Sequence, residues 1–112
     1  MNYFTDAEVE GLDPELVELL NQARGLAGVP FVITSGRRSE ESNQNAVGVK
    51  DSAHLKGLAV DLRARESLNR FKILRGLICA GFERIGLYDG HIHADIDTDK
   101  IAPVCWLGGA SH

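Results

Sequence analysis

The chain has 112 residues, of which 44% are apolar and 25% are charged, the composition of an ordinary globular protein rather than a disordered one. The formal net charge of -4, without any run rich in Lys and Arg, argues against a surface built to hold nucleic acid. No apolar stretch approaches the roughly 20 residues of a membrane span, and no signal peptide pattern opens the chain, so we expect one soluble domain over residues 1–112, made in the cytoplasm.

Hydrophobic periodicity and stop signals predict two helices. The first begins after Asp13, an N-cap residue followed by proline, and ends at Gly28. The second runs from about residue 66 to residue 80 and ends at Gly81. We expect the first helix to serve as scaffold.

Four short apolar runs predict strands, at residues 31–34, 58–62, 82–88 and 91–97. The last two meet at Asp89-Gly90, a dipeptide typical of tight hairpins. A polar loop with a short helix start near Ser39 joins the first two strands. The predicted class is therefore α+β, with helices against a small, mostly antiparallel sheet, and the tail beyond Asp97 is expected to be partly loose.

The two cysteines, Cys79 and Cys105, do not indicate a disulfide framework. We expect both to be buried or partly buried thiols. A disulfide between them stays open as an alternative.

Side chains alternate along a strand, so three polar residues of the last predicted strand share one face: His91, His93 and Asp95. Together with His54 and Asp61 they can supply two imidazoles and one carboxylate, the ligands of a catalytic zinc site that leaves one position for water. A His-x-His pair by itself is more often solvated or hydrogen-bonded. The residues alone leave both interpretations open.

Several segments form a combined pattern: Ile33–Ser39, Asn45 with Gly48, Ser52–Asp61, Gly81–Tyr88 and His91–Asp95. Together they resemble the zinc D-alanyl-D-alanine peptidases, which share a superfamily with lysostaphin-type endopeptidases and the hedgehog signalling domain. The resemblance covers roughly residues 28–97, and the motif Ser-x-His-x-x-Gly-x-Ala-x-Asp is its most specific part. It implies a hedgehog/D-Ala-D-Ala peptidase-like fold.

The resemblance implies that His54, Asp61 and His93 bind Zn²⁺, with water in the fourth place. Such a metal lowers the pKa of the water and polarises the scissile carbonyl. Arg38 matches an arginine that engages the substrate and the developing oxyanion. Ser52 either hydrogen-bonds in the site or shapes the loop.

The general base is where the chain departs from the family pattern. Many members place Glu or Asp three residues before the last zinc histidine, where this chain has Gly90. Asp89 and His91 are the two candidates for the base. We expect Asp89 to be the base and His91 a transition-state or proton-transfer partner, although Asp89 is also a good turn residue. Asp95 is expected to orient a histidine, and Trp106 either lines a substrate groove or lies in the core.

The implied function is a zinc metallopeptidase that hydrolyses an amide bond in the peptide stem of bacterial peptidoglycan, as a D-Ala-D-Ala-type carboxypeptidase or an endopeptidase. Its partner is the wall peptide, and it would act on the bacterial wall, as a bacterial enzyme or as a phage endolysin or tail protein. The alternatives are a wall- or protein-binding module that keeps zinc without catalysis, which Gly90 favours, and a structural protein in which the histidines staple the fold. Lys56 and Asp99 need only solvation, although Lys56 is one of several cations available to a substrate carboxylate.

Overall fold

The computed structural model describes residues 2–35 and 56–108. Its elements in chain order are α1 (Pro14–Ala27), β1 (Ile33–Ser35), β2 (Ala59–Arg63), α2 (Ser67–Ala80), β3 (Arg84–Leu87), β4 (His91–Asp95) and β5 (Val104–Leu107). Within those residues, two helices accompany one five-stranded, mostly antiparallel sheet, so the predicted α+β class is confirmed. The helix start predicted near Ser39 lies outside the described residues. None of the described helices is long and apolar enough to cross a membrane.

The strands lie in the order β1-β2-β4-β3-β5. Antiparallel pairing joins β1 to β2, β2 to β4 and β3 to β4, whereas β5 runs parallel to β3. The predicted hairpin at Asp89-Gly90 joins β3 to β4, where the Tyr88 amide donates to the His91 carbonyl at 3.0 Å. β2 and β4 are therefore neighbours inside the sheet, although α2 and β3 separate them along the chain.

The caps of α1 are those that the sequence predicts. The Asp13 side chain accepts a hydrogen bond from the Glu15 amide at 2.8 Å, and Pro14 occupies the first turn. At the other end Gly28 adopts φ 73°, a left-handed conformation that glycine takes without steric cost. The predicted boundaries of α2 are also close, since the helix covers Ser67–Ala80 and ends at Gly81.

The apolar core is bounded by the helices and one face of the sheet. Its largest fully buried side chains come from both helices and from β2 and β4: Leu16, Leu20, Val60, Leu62, Ile73, Leu77 and Ile92. Gly76 of α2 lets the helices approach closely, because a Cβ there would lie 2.5 Å from the Ala23 carbonyl oxygen. The opposite face of the sheet is left for polar side chains.

Part of the tail beyond Asp97 is ordered, since Val104–Leu107 forms β5 and is tied to its neighbour by hydrogen bonds from the Val104 amide to Glu83 and from the Gly108 amide to Leu87, both 2.8 Å. The expectation that both cysteines are buried or partly buried is wrong. Neither cysteine is buried. Cys79 and Cys105 are free and exposed, because α2 turns Cys79 outward and Cys105 sits on an edge strand.

Candidate active site

One row of residues crosses the whole sheet, with one residue from each strand in register: Ser35, Asp61, His93, Gly86 and Trp106. Directly opposed residues of antiparallel strands have Cβ atoms about 4.5–5.5 Å apart, close enough for their side chains to interact. The register of β2 against β4 therefore brings together Asp61 and His93, which are 32 residues apart in sequence.

The Asp61 and His93 side chains meet on the polar face. Asp61 Oδ1 lies 3.1 Å from His93 Nδ1, and these side chains are only 13% and 14% exposed. The other ring nitrogen, Nε2, lies 2.7 Å from Asp95 Oδ2. Asp95 is itself 2% exposed and accepts hydrogen bonds from Arg84 Nε at 2.7 Å and from the Asp97 amide at 3.1 Å. The imidazole is thus fixed through both nitrogens.

These contacts shift the pKa values of the histidine and of the buried carboxylate in opposite directions. Burial alone would lower the pKa of His93, but the hydrogen bonds to Asp61 and Asp95 outweigh it and raise that pKa above its ordinary value of 6.5. Burial likewise opposes ionisation of Asp95, yet hydrogen bonds from His93 and the Asp97 amide and the charge of Arg84 lower its pKa below 3.8. In the metal-free protein the two groups therefore favour an ion pair.

The Asp61 and His93 atoms suit a shared zinc ion. Ligands at about 2.0–2.1 Å from a tetrahedral zinc lie about 3.3 Å from one another, close to the 3.1 Å between Oδ1 and Nδ1. Nε2 points to Asp95, an arrangement in which a carboxylate holds the tautomer that leaves Nδ1 for a metal. Residues 2–35 and 56–108 do not by themselves contain three His, Cys, Asp or Glu side chains grouped to hold a metal ion.

The two candidate bases differ in their surroundings. His91 Nε2 lies 4.0 Å from Asp61 Oδ1, and its side chain is 29% exposed, so it sits beside the Asp61–His93 pair with access to solvent. Asp89 is exposed at the hairpin turn, and its backbone carbonyl accepts a hydrogen bond from Arg70 Nη1 at 3.4 Å. Among the described contacts, none links the Asp89 carboxylate to the pair. The fold thus brings His91 into the site and leaves Asp89 at its margin.

Two small residues of the motif serve the fold. Gly57 adopts φ 74°, and a Cβ there would lie 2.4 Å from the Gly11 carbonyl oxygen. Ala59 is completely buried at the start of β2. A side chain at Gly57 would collide with the Gly11 carbonyl, and the buried position of Ala59 leaves no room for a larger one, so small residues are needed where the chain enters the strand of Asp61.

An ion-pair cluster ties the start of this segment to the turn after β4. Lys56 Nζ lies 3.1 Å from a carboxylate oxygen of Asp97 and 3.1 Å from one of Asp99. The expectation that Lys56 and Asp99 need only solvation is therefore wrong. The cluster also counts against Lys56 as a cation reserved for a substrate carboxylate.

Aromatic side chains border the pair on the β5 side. The Trp106 indole lies 5.4 Å from the His93 ring between centroids, and its Nε1 donates to the Tyr88 hydroxyl at 3.0 Å. Of the two alternatives for Trp106, its position on the polar face favours the groove over the core. Sequence reasoning did not single out Tyr88. Gly86 inside β3 signals only the close approach of the Trp106 indole, whereas the glycine that contacts the Tyr88 ring is Gly108, after β5, so no local signal pointed to Tyr88.

Three predicted site residues, His54, Arg38 and Ser52, lie outside the described residues. Their roles stay predictions. The described part of the site consists of Asp61 and His93, supported by Asp95 and flanked by His91.

Comparison with known proteins agrees with this fold. The family model for peptidase M15 matches residues 1–95, so the chain belongs to the peptidase M15 family. The predicted family resemblance is confirmed. Among solved structures, the crystal structure of the Serratia marcescens L-Ala D-Glu endopeptidase ChiX has the same fold, with a TM-score of 0.61 and 19% sequence identity over 88% of this chain and 90% of that chain. No curated protein matches the chain.

Proposed function

We propose that this protein is a zinc-dependent peptidase that hydrolyses an amide bond in the peptide stem of bacterial peptidoglycan. The observation that carries the proposal is the convergence of Asp61 and His93, 3.1 Å apart on the polar face of the sheet, in a chain of the peptidase M15 family. The similarity to ChiX supports the substrate class, because an L-Ala–D-Glu linkage is an amide bond of that stem.

His54, Asp61 and His93 are the proposed zinc ligands. Bound zinc would activate a water molecule and polarise the scissile carbonyl. Asp95 keeps the Nε2 proton of His93 in a 2.7 Å hydrogen bond, which directs the Nδ1 lone pair to the side of Asp61. Arg84, paired with Asp95, neutralises the buried carboxylate, so that the charge of Asp95 does not have to be balanced by the metal.

His91 is the proton-transfer group that the geometry favours. It accepts the proton of the attacking water and returns it to the leaving amine, since an imidazole exchanges protons readily near neutral pH. Asp89 is the second candidate and would need the hairpin turn to present its carboxylate to the site. Arg38 is the proposed partner of the developing oxyanion, and Ser52 is a proposed substrate contact.

The test is hydrolysis of purified peptidoglycan by the zinc-loaded protein, followed through released amines and free D-alanine. Chelated protein and the His93→Ala variant should be inactive, whereas Asp99→Asn, which changes an exposed carboxylate, should keep activity. D-alanine release alone identifies a carboxypeptidase, and new amines without D-alanine identify an endopeptidase. Stoichiometric zinc and wall binding without any release would refute catalysis and favour a binding module.

A further inference from the structure

Tyr88 is held at both ends of its side chain, although sequence reasoning gave it no role. Its ring stacks on the imidazole of His91 with centroids 4.4 Å apart and an interplanar angle of 8°. Its hydroxyl accepts a hydrogen bond from Trp106 Nε1 at 3.0 Å. The backbone is fixed as well, because the Tyr88 carbonyl accepts from Arg70 Nη1 at 2.7 Å. One residue thus contacts the proposed proton-transfer group and the indole that borders the site.

Two glycines clear the space that this arrangement occupies. A Cβ at Gly86 would lie 2.6 Å from the Trp106 indole, and a Cβ at Gly108 would lie 1.8 Å from the Tyr88 ring. Both rings therefore lie directly on the backbone of neighbouring strand segments. Any side chain at these two positions would displace the rings of Trp106 and Tyr88, so the absence of side chains at Gly86 and Gly108 makes room for both rings.

The Trp106 indole borders the proposed metal ligands in addition to packing within the fold. It is half-buried, 5.4 Å from the His93 ring. The guanidinium of Arg84, which pairs with Asp95, lies 5.3 Å from the indole centroid on the same face of the sheet. The exposed part of the indole is an apolar surface next to the proposed metal ligands, suited to the aliphatic side chains of a stem peptide.

We propose that Tyr88 is a positioning residue with two separable tasks: its ring orients the imidazole of His91 for proton transfer, and its hydroxyl fixes the indole of Trp106 as a wall against which the substrate packs. This inference rests on the proposed peptidase function. Loss of the Tyr88 ring should therefore lower kcat, and loss of the Tyr88 hydroxyl should raise KM.

The experiment compares Tyr88→Phe, Tyr88→Leu and Trp106→Phe, with Tyr3→Phe as the matched control at the only other tyrosine. Tyr88→Phe keeps the ring and loses the acceptor, so KM should rise about twofold to tenfold while kcat stays within about twofold. Tyr88→Leu loses the stack as well, and its kcat should fall about tenfold. In the Tyr88→Phe/Trp106→Phe double variant, KM should rise no further than in Trp106→Phe alone, because both changes remove the same contact.

Two readouts do not depend on turnover. Trp106 is the only tryptophan of the chain, so its emission reports on the hydroxyl contact: Tyr88→Phe should shift the emission to the red and increase quenching by acrylamide, whereas Tyr3→Phe should do neither. The ring protons of His91 should show upfield ring-current shifts that Tyr88→Phe keeps and Tyr88→Leu loses.

Equal losses of kcat in the Phe and Leu variants, or unchanged Trp106 emission in Tyr88→Phe, would overturn the division of tasks. A wild-type protein without peptidase activity would refute the proposed function and, with it, the catalytic part of this inference. The emission and ring-current measurements would then still decide whether Tyr88 holds the two rings as proposed.

Discussion

His93 Nε2 lies 2.7 Å from Asp95 Oδ2, while Nδ1 of the same ring faces Asp61. Asp95 therefore selects which nitrogen of His93 keeps its proton. Asp95→Asn should weaken zinc binding by about 10- to 100-fold, because an amide is a poorer acceptor and no longer pairs with Arg84. Competition with a chromogenic chelator measures the change. Asp99→Asn is the control, and equal zinc affinities of the two variants would contradict the assigned role of Asp95.

Zinc affinity should rise with pH. The pKa of His93 lies above 6.5 in the metal-free protein, so the ring is mostly protonated at that pH and below, and zinc must displace a proton. Apparent affinity should increase about tenfold per pH unit until the pH exceeds this raised pKa, and then level off. Without metal, the protonated ring stabilises the fold fully below 6.5, and this contribution is lost as pH rises through the raised pKa. Chelator competition at several pH values measures how zinc affinity depends on pH. A zinc affinity that does not change with pH would contradict the prediction.

Proton transfer should depend on His91 more than on Asp89. His91→Ala should lower kcat by about 10²- to 10⁴-fold, the usual contribution of a general acid–base group, with zinc content unchanged. Asp89→Asn should change kcat by less than about threefold, because the turn geometry tolerates Asn. Steady-state kinetics on a stem peptide, with metal content measured for each variant, checks the ranking. A larger loss of kcat in Asp89→Asn than in His91→Ala would identify Asp89 as the general base.

The carboxylate of Asp97 should stabilise the fold at neutral pH and lose this contribution in acid. Burial by itself would raise the pKa of Asp97, but hydrogen bonds from Lys100, the Asp99 amide and Lys56 lower it below 3.8. Its stabilising contribution is therefore complete above 3.8 and is lost as pH falls through the lowered pKa. Asp97→Asn should cost about 1–3 kcal/mol at neutral pH, because it breaks buried charge-assisted hydrogen bonds.

Urea unfolding at neutral and acid pH measures this effect. The difference between wild type and Asp97→Asn should shrink as the pH falls below 3.8. The exposed Asp99 supplies the control variant Asp99→Asn, whose effect should be small at every pH. A difference that stays constant across the acid range would show that Asp97 does not titrate with the fold.

The contact between the two helices should be sensitive to a single methyl group. Gly76→Ala should destabilise the protein by about 1–3 kcal/mol, because the new Cβ would lie 2.5 Å from the Ala23 carbonyl oxygen and 2.8 Å from the Ala27 Cβ. Gly25→Ala is the matched control: its Cβ would lie 3.4 Å from the Tyr3 hydroxyl, and alanine favours the helix by up to about 1 kcal/mol. Thermal unfolding should therefore rank Gly25→Ala at or above wild type and Gly76→Ala below it. Equal melting temperatures for the two variants would contradict the packing argument.

Local signals in the sequence predicted the parts of the fold that depend on neighbouring residues. Asp13 and Gly28 mark the ends of α1 by capping chemistry, and period-two alternation predicts that His91, His93 and Asp95 share a face. The partnership of Asp61 with His93 needed more than local rules, since it depends on the register of two strands that are distant in sequence, and the motif supplied it by resemblance.

Long-range pairing explains what the sequence did not predict. β5 is four residues long and is held by parallel pairing to β3. No turn residues in the sequence predict this contact, because parallel strands are not joined by a tight hairpin. The position of Trp106 beside His93 and the contact of its indole with Tyr88 follow from that pairing, so neither was predictable without it. Cys105 was misjudged for the same reason, because its exposure follows from the edge position of β5.

The sheet order places the proposed metal ligands and the indole that borders them on different strands. Asp61 and His93 belong to two adjacent interior strands, each paired on both sides, whereas Trp106 belongs to β5, which lies at the edge of the sheet that the described residues form. The segment between Ile96 and Pro103 leads from one to the other, and on the way the Asp97 amide donates to Asp95, which holds His93. A change in that connection would therefore move the strand of Trp106 and, through Asp97, the orientation of His93. The border of the proposed site and the imidazole inside it are thus coupled through one short stretch of chain.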